Sequence, residues 1–425
     1  MRIWLIKTGE EMPDDPHGPR LVRMAVLADY LVAAGHQVTF WNAAFNHHRK
    51  EPRYAETTRI RSVAGYDAIY LKGRAYRKNI SLARFVHQEE VAREFARVAP
   101  DEPQPDVIVA ALPTIELCHA AMAYAQSRGI PYILDCRDMW PDVITEQLTG
   151  ALRLPASLVA LRYRRQRDRA LRGAASIVGV TDRFLDWALK GAGRPRRDSD
   201  RVFHLAIPAP KQHAPEETAK AEAYWTDLIG PPSPDVTVAC FGGTLSRRLD
   251  LHTLLAACRL LPGRADPDRL KIVLCGRGDL LEAFEATARD VPHVTFAGWR
   301  NAVELDALMK RSTAGLLPYP PAFDFSNHFV NKIGEYLNYG LPIVTGLDGL
   351  TEALLKPNDL QLPYEVGNPE SLAATLAALP DQSGKSAARA ETAKALYRKM
   401  FDPERIYPDF VAHIEAIGRS TASQP

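Results

Sequence analysis

Short apolar runs alternating with amphipathic helical stretches, over and over along the chain, restrict its fold more than any other feature. Ile3 to Ile6 is the first such run. Leu21 to Ala34 follows, with Leu21, Met24, Ala25, Ala28 and Leu31 near the helical period. Gly35 ends that helix, and Val38 to Trp41 is the next run. Asp67 to Leu71, Asp106 to Ala111, Tyr132 to Asp135, Ser176 to Val180 and Phe203 to Ile207 continue the series. Helices are predicted over Ile80 to Arg97, Ile115 to Arg128, Leu158 to Arg172 and Asp182 to Lys190. Strands separated by helices imply a parallel, doubly wound sheet, hence an α/β fold. From Pro208 to Pro234 the sequence turns rich in Pro, Ala and charge, the composition of a linker, with one helical piece around Glu216 to Ile229. The alternation then restarts, with strands at Val236 to Phe241, Leu270 to Cys275, Val294 to Ala297, Ala314 to Leu317 and Ile343 to Thr345. A chain of 425 residues exceeds one ordinary core, so the expected domains are 1–207 and 235–395, joined by 208–234 and followed by a tail, 396–425.

Several function classes are disfavoured. A net charge of +2 gives no broad case for nucleic acid. The five cysteines form no C-x-x-C pair and are expected as buried, reduced thiols. The N-terminal MRIWLIKTG reads as a strand, too short in apolar residues for a signal peptide. No apolar stretch approaches the roughly 20 residues needed to span a bilayer. The first βαβ unit lacks G-x-G-x-x-G, which weighs against a nicotinamide or flavin enzyme. His47 and His48 are adjacent and share no face, and the other histidines show no H-x-x-x-H spacing, so no metal is expected.

Function concentrates at the carboxyl ends of parallel strands. In NKIGEYLNYGLPIVTG, Lys332 and Glu335 open a helix, Gly340 ends it, Pro342 blocks its resumption, and a buried strand follows. This placement makes Glu335 a candidate ligand for ribose hydroxyls; a solvated surface Glu is the ordinary alternative. Gly242, Gly243, Arg247 and Arg248 follow the first strand of the second half, and Gly276 and Gly278 follow its second. Glycine turns, arginines and a lysine at one sheet edge suit the charge of a departing diphosphate. In CRDMWPDV, Asp135, Arg137, Asp138, Trp140 and Asp142 cluster after a strand, either as a functional group or as an ion pair holding a loop. Leu158 to Arg172 holds six arginines, fit for an anionic membrane surface or for a solvated outer face.

Four stretches in this order resemble a known family: GPRLVRMAVLADYLVAAGHQVTFW with FNHHRK; RDMWPDV; FGGTLS with CGRGD and FAGW; and NKIGEYLNYGLPIVTG. The chain resembles the retaining GT-B glycosyltransferases of family 4, in the branch that builds bacterial O-antigens, capsules and exopolysaccharides. The resemblance implies two Rossmann-like domains facing across a cleft, with the final helix, around Phe401 to Ile417, crossing back to the first. It implies transfer of a sugar, with retention and without metal, from a UDP- or GDP-sugar to a saccharide or polyprenyl-linked acceptor in the cytosol, at the inner face of the membrane. No further cofactor is implied. Glu335 matches the family's ribose-binding Glu, while its donor-sugar Glu falls at Asn327. The family's Arg and Lys on the diphosphate match loosely to Arg247 and Arg248, and Thr244 stands where Arg is common. Gly243, Gly276, Gly278 and Trp299 complete the donor side. Gly18 and Arg20 belong to the first domain's loop, and Asp138 and His47 are the candidates for orienting the acceptor hydroxyl. Two rival readings share the fold: a sugar-nucleotide epimerase, and a non-catalytic scaffold.

Overall fold

A computed structural model of the chain describes residues 1–16, 21–79, 81–143, 153–210, 212–246, 248–278, 281–381 and 386–422. They form two compact units. Unit 1 combines residues 1–205 with those from Glu404 onward, and unit 2 runs from Ala206 to Pro403. Among the described residues no helix is long and apolar enough to cross a membrane.

Unit 1 contains β1 (Arg2–Ile6), β2 (Gln37–Ala43), β3 (Phe45–Asn46), β4 (Glu51–Pro52), β5 (Thr58–Arg61), β6 (Asp67–Leu71), β7 (Val107–Ala111), β8 (Tyr132–Cys136), β9 (Ser176–Gly179) and β10 (Arg201–Val202). Its helices are α1 (Arg23–Ala33), α2 (Leu82–Val98), α3 (Ile115–Ser127), α4 (Arg153–Arg172) and α5 (Asp182–Ala192). The eight-stranded sheet has the order β10-β9-β8-β7-β1-β2-β6-β5. All its pairings are parallel except β5 on β6. From β1 the chain winds outward through β2, then returns to β7 and winds the other way, so the sheet's switch point lies between β1 and β7. The apolar runs are short because each strand is covered on both faces. Trp4, Trp41, Phe95 and Tyr124 pack ring against ring at the centre. Two expectations shift. Phe203 to Ile207 is not the last strand; the paired residues are Arg201 and Val202, next to β9. The edge strand β5, TRIR, carries arginine at alternate exposed positions and so lacks an apolar signature.

Unit 2 contains β11 (Thr237–Gly242), β12 (Leu270–Cys275), β13 (Val294–Gly298), β14 (Ala314–Leu316), β15 (Ile343–Thr345) and β16 (Gln361–Pro363), in the order β13-β12-β11-β14-β15-β16, all parallel. Its switch point lies between β11 and β14. The helices are α6 (Pro215–Ile229), α7 (Leu251–Arg259), α8 (Leu281–Ala288), α9 (Ala302–Arg311), α10 (Phe323–Asn327), α11 (Asn331–Asn338), α12 (Gly349–Leu355), α13 (Pro369–Ala377) and α14 (Ser386–Met400).

The stretch 208–234, expected as a linker, is part of unit 2. Trp225 of α6 is fully buried there, and its indole N–H donates to Glu304 O at 2.7 Å. The tail divides between Pro403 and Glu404. Helix α14 stays in unit 2, burying Ala393 and Tyr397, whereas α15 (Pro403–Ala422) packs in unit 1. Tyr407 stacks on Tyr30 and Phe410 on Phe203, with ring centroids 5.0 and 4.5 Å apart. All five cysteines are buried and unpaired.

One buried acid in unit 1 makes stability depend on pH. Glu116, in the first turn of α3, is 4% exposed, and neither carboxylate oxygen bonds to another residue. Burial pushes its carboxyl up from 4.5 to about 7. Between those values the folded chain keeps a proton that the unfolded chain releases, so stability falls as pH rises through the window. Glu116→Gln is therefore expected to stabilise the protein at pH 8 by about 3 kcal/mol, with most of that gain absent at pH 5. Denaturant midpoints at the two pH values check this.

Candidate functional site

In unit 2 the candidate residues gather at the carboxyl edge of the sheet. Helix α11 is fixed by its buried face, Ile333, Gly334, Tyr336 and Leu337. The Tyr336 hydroxyl lies 2.9 Å from Leu316 O and 3.2 Å from Cys240 O, so this phenol spans the ends of β14 and β11 at the switch point. Gly315 makes room for the ring, since a Cβ there would lie 2.3 Å from it. With that face locked, Lys332 and Glu335 stand together on the less buried side and form an ion pair. Lys332 reaches the turn after β11: its Cε lies 3.5 Å from where a Cβ on Gly243 would be.

The glycine turns serve a different purpose from the one expected. Gly243 N donates to Cys275 O at 2.9 Å, Leu245 N to Arg277 O at 2.9 Å, and Gly276 N to Gly298 O at 2.8 Å. Strand pairing thus continues past the ends of β11 and β12. A Cβ on Gly276, at φ +146°, would lie 1.7 Å from Gly243 O, and one on Gly278 would lie 1.8 Å from Leu245 O. The close approach these glycines allow is therefore between loops, and the amides of Gly243 and Gly276 are already committed.

Arg248 lies over the Phe325 ring at 4.8 Å, and Phe325 meets Tyr319 edge-on at 4.6 Å. Burial raises the Tyr319 phenol, with Arg248 opposing and Glu335 reinforcing, which ties Arg248, Tyr319 and Glu335 into one electrostatic group. Asn327 ends α10, just ahead of α11. Thr244 is exposed on the β11 turn. Trp299 is 56% exposed after β13 and lies under the Arg277 guanidinium at 5.6 Å. Arg247 lies outside the described residues. Tyr319 and Arg277 escaped the sequence reading; both sit just past strand ends, the position that signals function.

Unit 1 has its own cluster at the β1/β7 switch point. Lys7, the residue after β1, donates from Nζ to Leu112 O, just after β7, at 2.9 Å. Burial, helped by Arg137, lowers its ammonium to about 8. Glu10 accepts from Arg137 at 2.5 Å and from the amides of Met24 and Ala25 at 3.2 Å, capping the first turn of α1. Asp138 is within electrostatic reach of Lys7. His47 Nδ1 lies 2.5 Å from the Tyr76 hydroxyl and 3.4 Å from Lys50 Nζ. An ammonium only donates, so Nδ1 is an acceptor and the ring hydrogen sits on Nε2. Burial, then Lys50, Arg84, His48 and Lys7, push His47 down to about 3, so the ring is neutral. Gly18 and Arg20 lie outside the described residues.

Of the charged residues at the end of β8, Asp135, Arg137 and Asp142 are ion-paired with residues elsewhere in unit 1. Arg23 grips Asp135 with two hydrogen bonds, at 2.9 and 3.1 Å. Arg137 turns to Glu10. Asp142 takes Arg164, Arg167 and the Trp187 indole. Within Leu158 to Arg172, Arg162 is also paired, with Glu89, so three of its six arginines are satisfied inside unit 1. Two Asp-x-Asp triplets have local roles: Asp200 holds Arg194 and the amide of Ile177, and Asp266 holds the amide of Asp268. Among the described residues no three His, Cys, Asp or Glu side chains meet as a metal site requires.

Two family models match the chain: "Glycosyl transferase 4-like domain" over residues 21–203 and "Glycosyl transferases group 1" over 236–382. Together they cover more than three quarters of it. No curated protein matches by sequence. Among solved structures, the chain is similar to sucrose-phosphate synthase from Thermosynechococcus elongatus, with TM-score 0.71, 14% identity and 99% of each chain covered. It is also similar to HepE of Anabaena in complex with UDP, with TM-score 0.64, 14% identity, and 98% of this chain and 99% of that one covered. A third is WaaG, a glycosyltransferase involved in lipopolysaccharide biosynthesis, with TM-score 0.60, 14% identity, and 97% and 99% covered. At these identities the likeness speaks for the fold.

Proposed function

The chain is a glycosyltransferase of GT-B fold with GT4-type domains, and from that premise we propose that it moves a sugar from a UDP- or GDP-sugar to a hydroxyl of a saccharide or polyprenyl-linked acceptor, with retention, in surface polysaccharide synthesis. The observation that carries this reading is the Lys332–Glu335 pair, held by Tyr336 at the switch point and reaching the Gly243 turn. The UDP in the HepE structure and the lipopolysaccharide role of WaaG support the donor and the pathway class.

In this reading Glu335 accepts the ribose hydroxyls. Lys332 and Arg248, with Arg247, offset the charge of the leaving diphosphate, work that needs donors placed in advance rather than a metal. Asn327, Thr244 and Trp299 line the donor sugar and base, and Gly18 and Arg20 serve the phosphates or the acceptor. The acceptor hydroxyl attacks on the face that the diphosphate leaves, and a diphosphate oxygen takes its proton, so no protein nucleophile is required. Asp138 orients the hydroxyl; His47, neutral with its hydrogen on Nε2, serves as a donor and not as a base. Contact with an anionic membrane through Leu158 to Arg172 falls to Arg165, Arg169 and Arg172, since the other three arginines are paired.

A thermal-shift screen against UDP, GDP and their sugar conjugates tests this. One nucleotide diphosphate is expected to raise the unfolding temperature, and incubation with that sugar donor alone is expected to give only slow hydrolysis. Conversion of the donor to an epimer would establish the epimerase instead, and no shift with any nucleotide would favour a scaffold.

A further inference from the structure

Unit 2 opens a cleft of about 220 Å³ at the amino end of β11. Val236 and Val238 lie where that strand begins, whereas the Gly243 turn that Lys332 reaches follows its last residue. Five residues of strand, at about 3.3 Å each, set the cleft roughly 16 Å from that turn. Pro231, Pro232 and Pro234 build the wall together with the two valines. A proline's fixed φ holds such a wall in shape before anything binds. Ser233 and Arg311 supply its polar atoms. Arg311 is the last residue of α9, and the chain just beyond it is bound to the strand, with Thr313 N donating to Val238 O at 2.8 Å. The arginine and the valine wall are therefore fixed relative to each other.

Arg311 has no counter-ion. Its Nη2 donates to Gly230 O at 2.6 Å, while its buried Nε meets no acceptor. It makes no ion pair among the described residues, although Lys310, one residue earlier, pairs with Asp306. Burial lowers its guanidinium, with Glu222 of α6 opposing from a distance. Ser233 Oγ accepts from the Asp235 amide at 3.2 Å, which leaves its own hydrogen to donate. Both polar groups of the wall are thus donors, and among the described residues no acidic side chain lines it. A half-buried guanidinium with an unmet N–H, set in an apolar wall, suits a carboxylate carried on an apolar body. Cavities of about 150 Å³ take benzene, so this cleft has room for one ring and its acid group.

We infer that the cleft at the amino end of β11 binds a small carboxylic acid bearing one aromatic ring. The site is independent of the donor reading, since none of its residues belongs to the Lys332–Glu335 edge.

The test titrates phenylacetate into the full chain and follows it by saturation-transfer NMR. Phenylacetate is expected to bind with a Kd of about 1 mM, and phenylacetamide, its neutral counterpart of the same shape, about tenfold more weakly. Arg311→Gln is expected to weaken the acid about tenfold and to leave the amide unchanged. Arg311 also ties α9 to the end of α6 through Gly230, so a second variant leaves it in place. Val236→Trp, which fills the cleft, is expected to abolish binding of both compounds. Arg398→Gln, an exposed charge on α14, is the control and is expected to change neither. UDP affinity is expected to be equal in the wild type and all three variants. No phenylacetate binding to the wild type at about 10 mM, equal binding of acid and amide, binding that survives Val236→Trp, or an equal loss in Arg398→Gln would each overturn the site. Absence of UDP binding to the wild type would instead count against the donor reading and leave the phenylacetate comparison intact.

Discussion

Glu335→Ala is expected to weaken UDP binding by about 100-fold while leaving the unfolding temperature of the nucleotide-free protein nearly unchanged. A carboxylate that accepts from both ribose hydroxyls contributes charge-assisted hydrogen bonds of about 1.5–3 kcal/mol each, and roughly 2.7 kcal/mol is a factor of 100. The side chain is 25% exposed and sits opposite the buried face of α11, so its removal opens no cavity. The lysine beside it supplies the contrast. Lys332→Ala is expected to weaken UDP far more than uridine, because the nucleoside has no diphosphate for the ammonium to meet. Glu335→Ala should weaken both alike. Calorimetric titrations with the two ligands separate these roles, and equal UDP affinity in wild type and Glu335→Ala would remove Glu335 from the donor site.

Asp135→Asn is expected to be the costliest single change in unit 1, about 3–5 kcal/mol. The carboxylate is fully buried and its partner Arg23 is 3% exposed. Losing the negative charge leaves a guanidinium stranded in the interior, and the cost of that desolvated charge exceeds the worth of the bonds lost. Arg23 also donates to His204 O at 2.9 Å and lies 5.1 Å over the Phe410 ring, so the damage reaches α15. Urea unfolding followed by the fluorescence of Trp4 and Trp41, both buried in unit 1, reads the shift. Arg23→Met with Asp135→Leu should recover much of the loss, since apolar side chains of similar volume can replace a buried pair. A change below about 1 kcal/mol in Asp135→Asn would show that the pair carries no net weight in unit 1.

The sheets were legible because parallel strands covered on both faces leave unbroken apolar runs, and IWLI, IVAA and IVLC stand out at once. Helix α11 was legible from its stop: Gly340 at φ +78°, then Pro342. Strand β4 and edge strand β5 were not, since exposed strands carry polar residues with no run to mark them, and β3, though buried, is only two residues long. Helix α14, SAARAETAKALYRKM, was passed over because its buried positions include a charged residue, Arg389, and a small one, Ala393, beside Tyr397, and so give no clear apolar stripe. Ion pairing at the end of β8 was one of the two readings left open, but its partners were not legible. Asp135 and Arg137 find partners more than 100 residues away along the chain, at Arg23 and Glu10, which no local pattern marks. Lys7 was missed although it directly follows β1, the position the fold marks for chemistry.

Unit 2 is, in the order of the chain, an insertion within unit 1. Phe410 and Ile414 supply fully buried side chains to a unit whose sheet is complete by residue 202. During synthesis the nascent unit 1 must therefore wait, with Phe203 and Tyr30 still uncovered, while some 200 residues of unit 2 emerge from the ribosome and close on themselves. The first portion made is the last to be finished, and a message cut short before codon 404 would yield a sealed unit 2 tethered to a unit 1 with an open apolar flank, a target for chaperones and proteases.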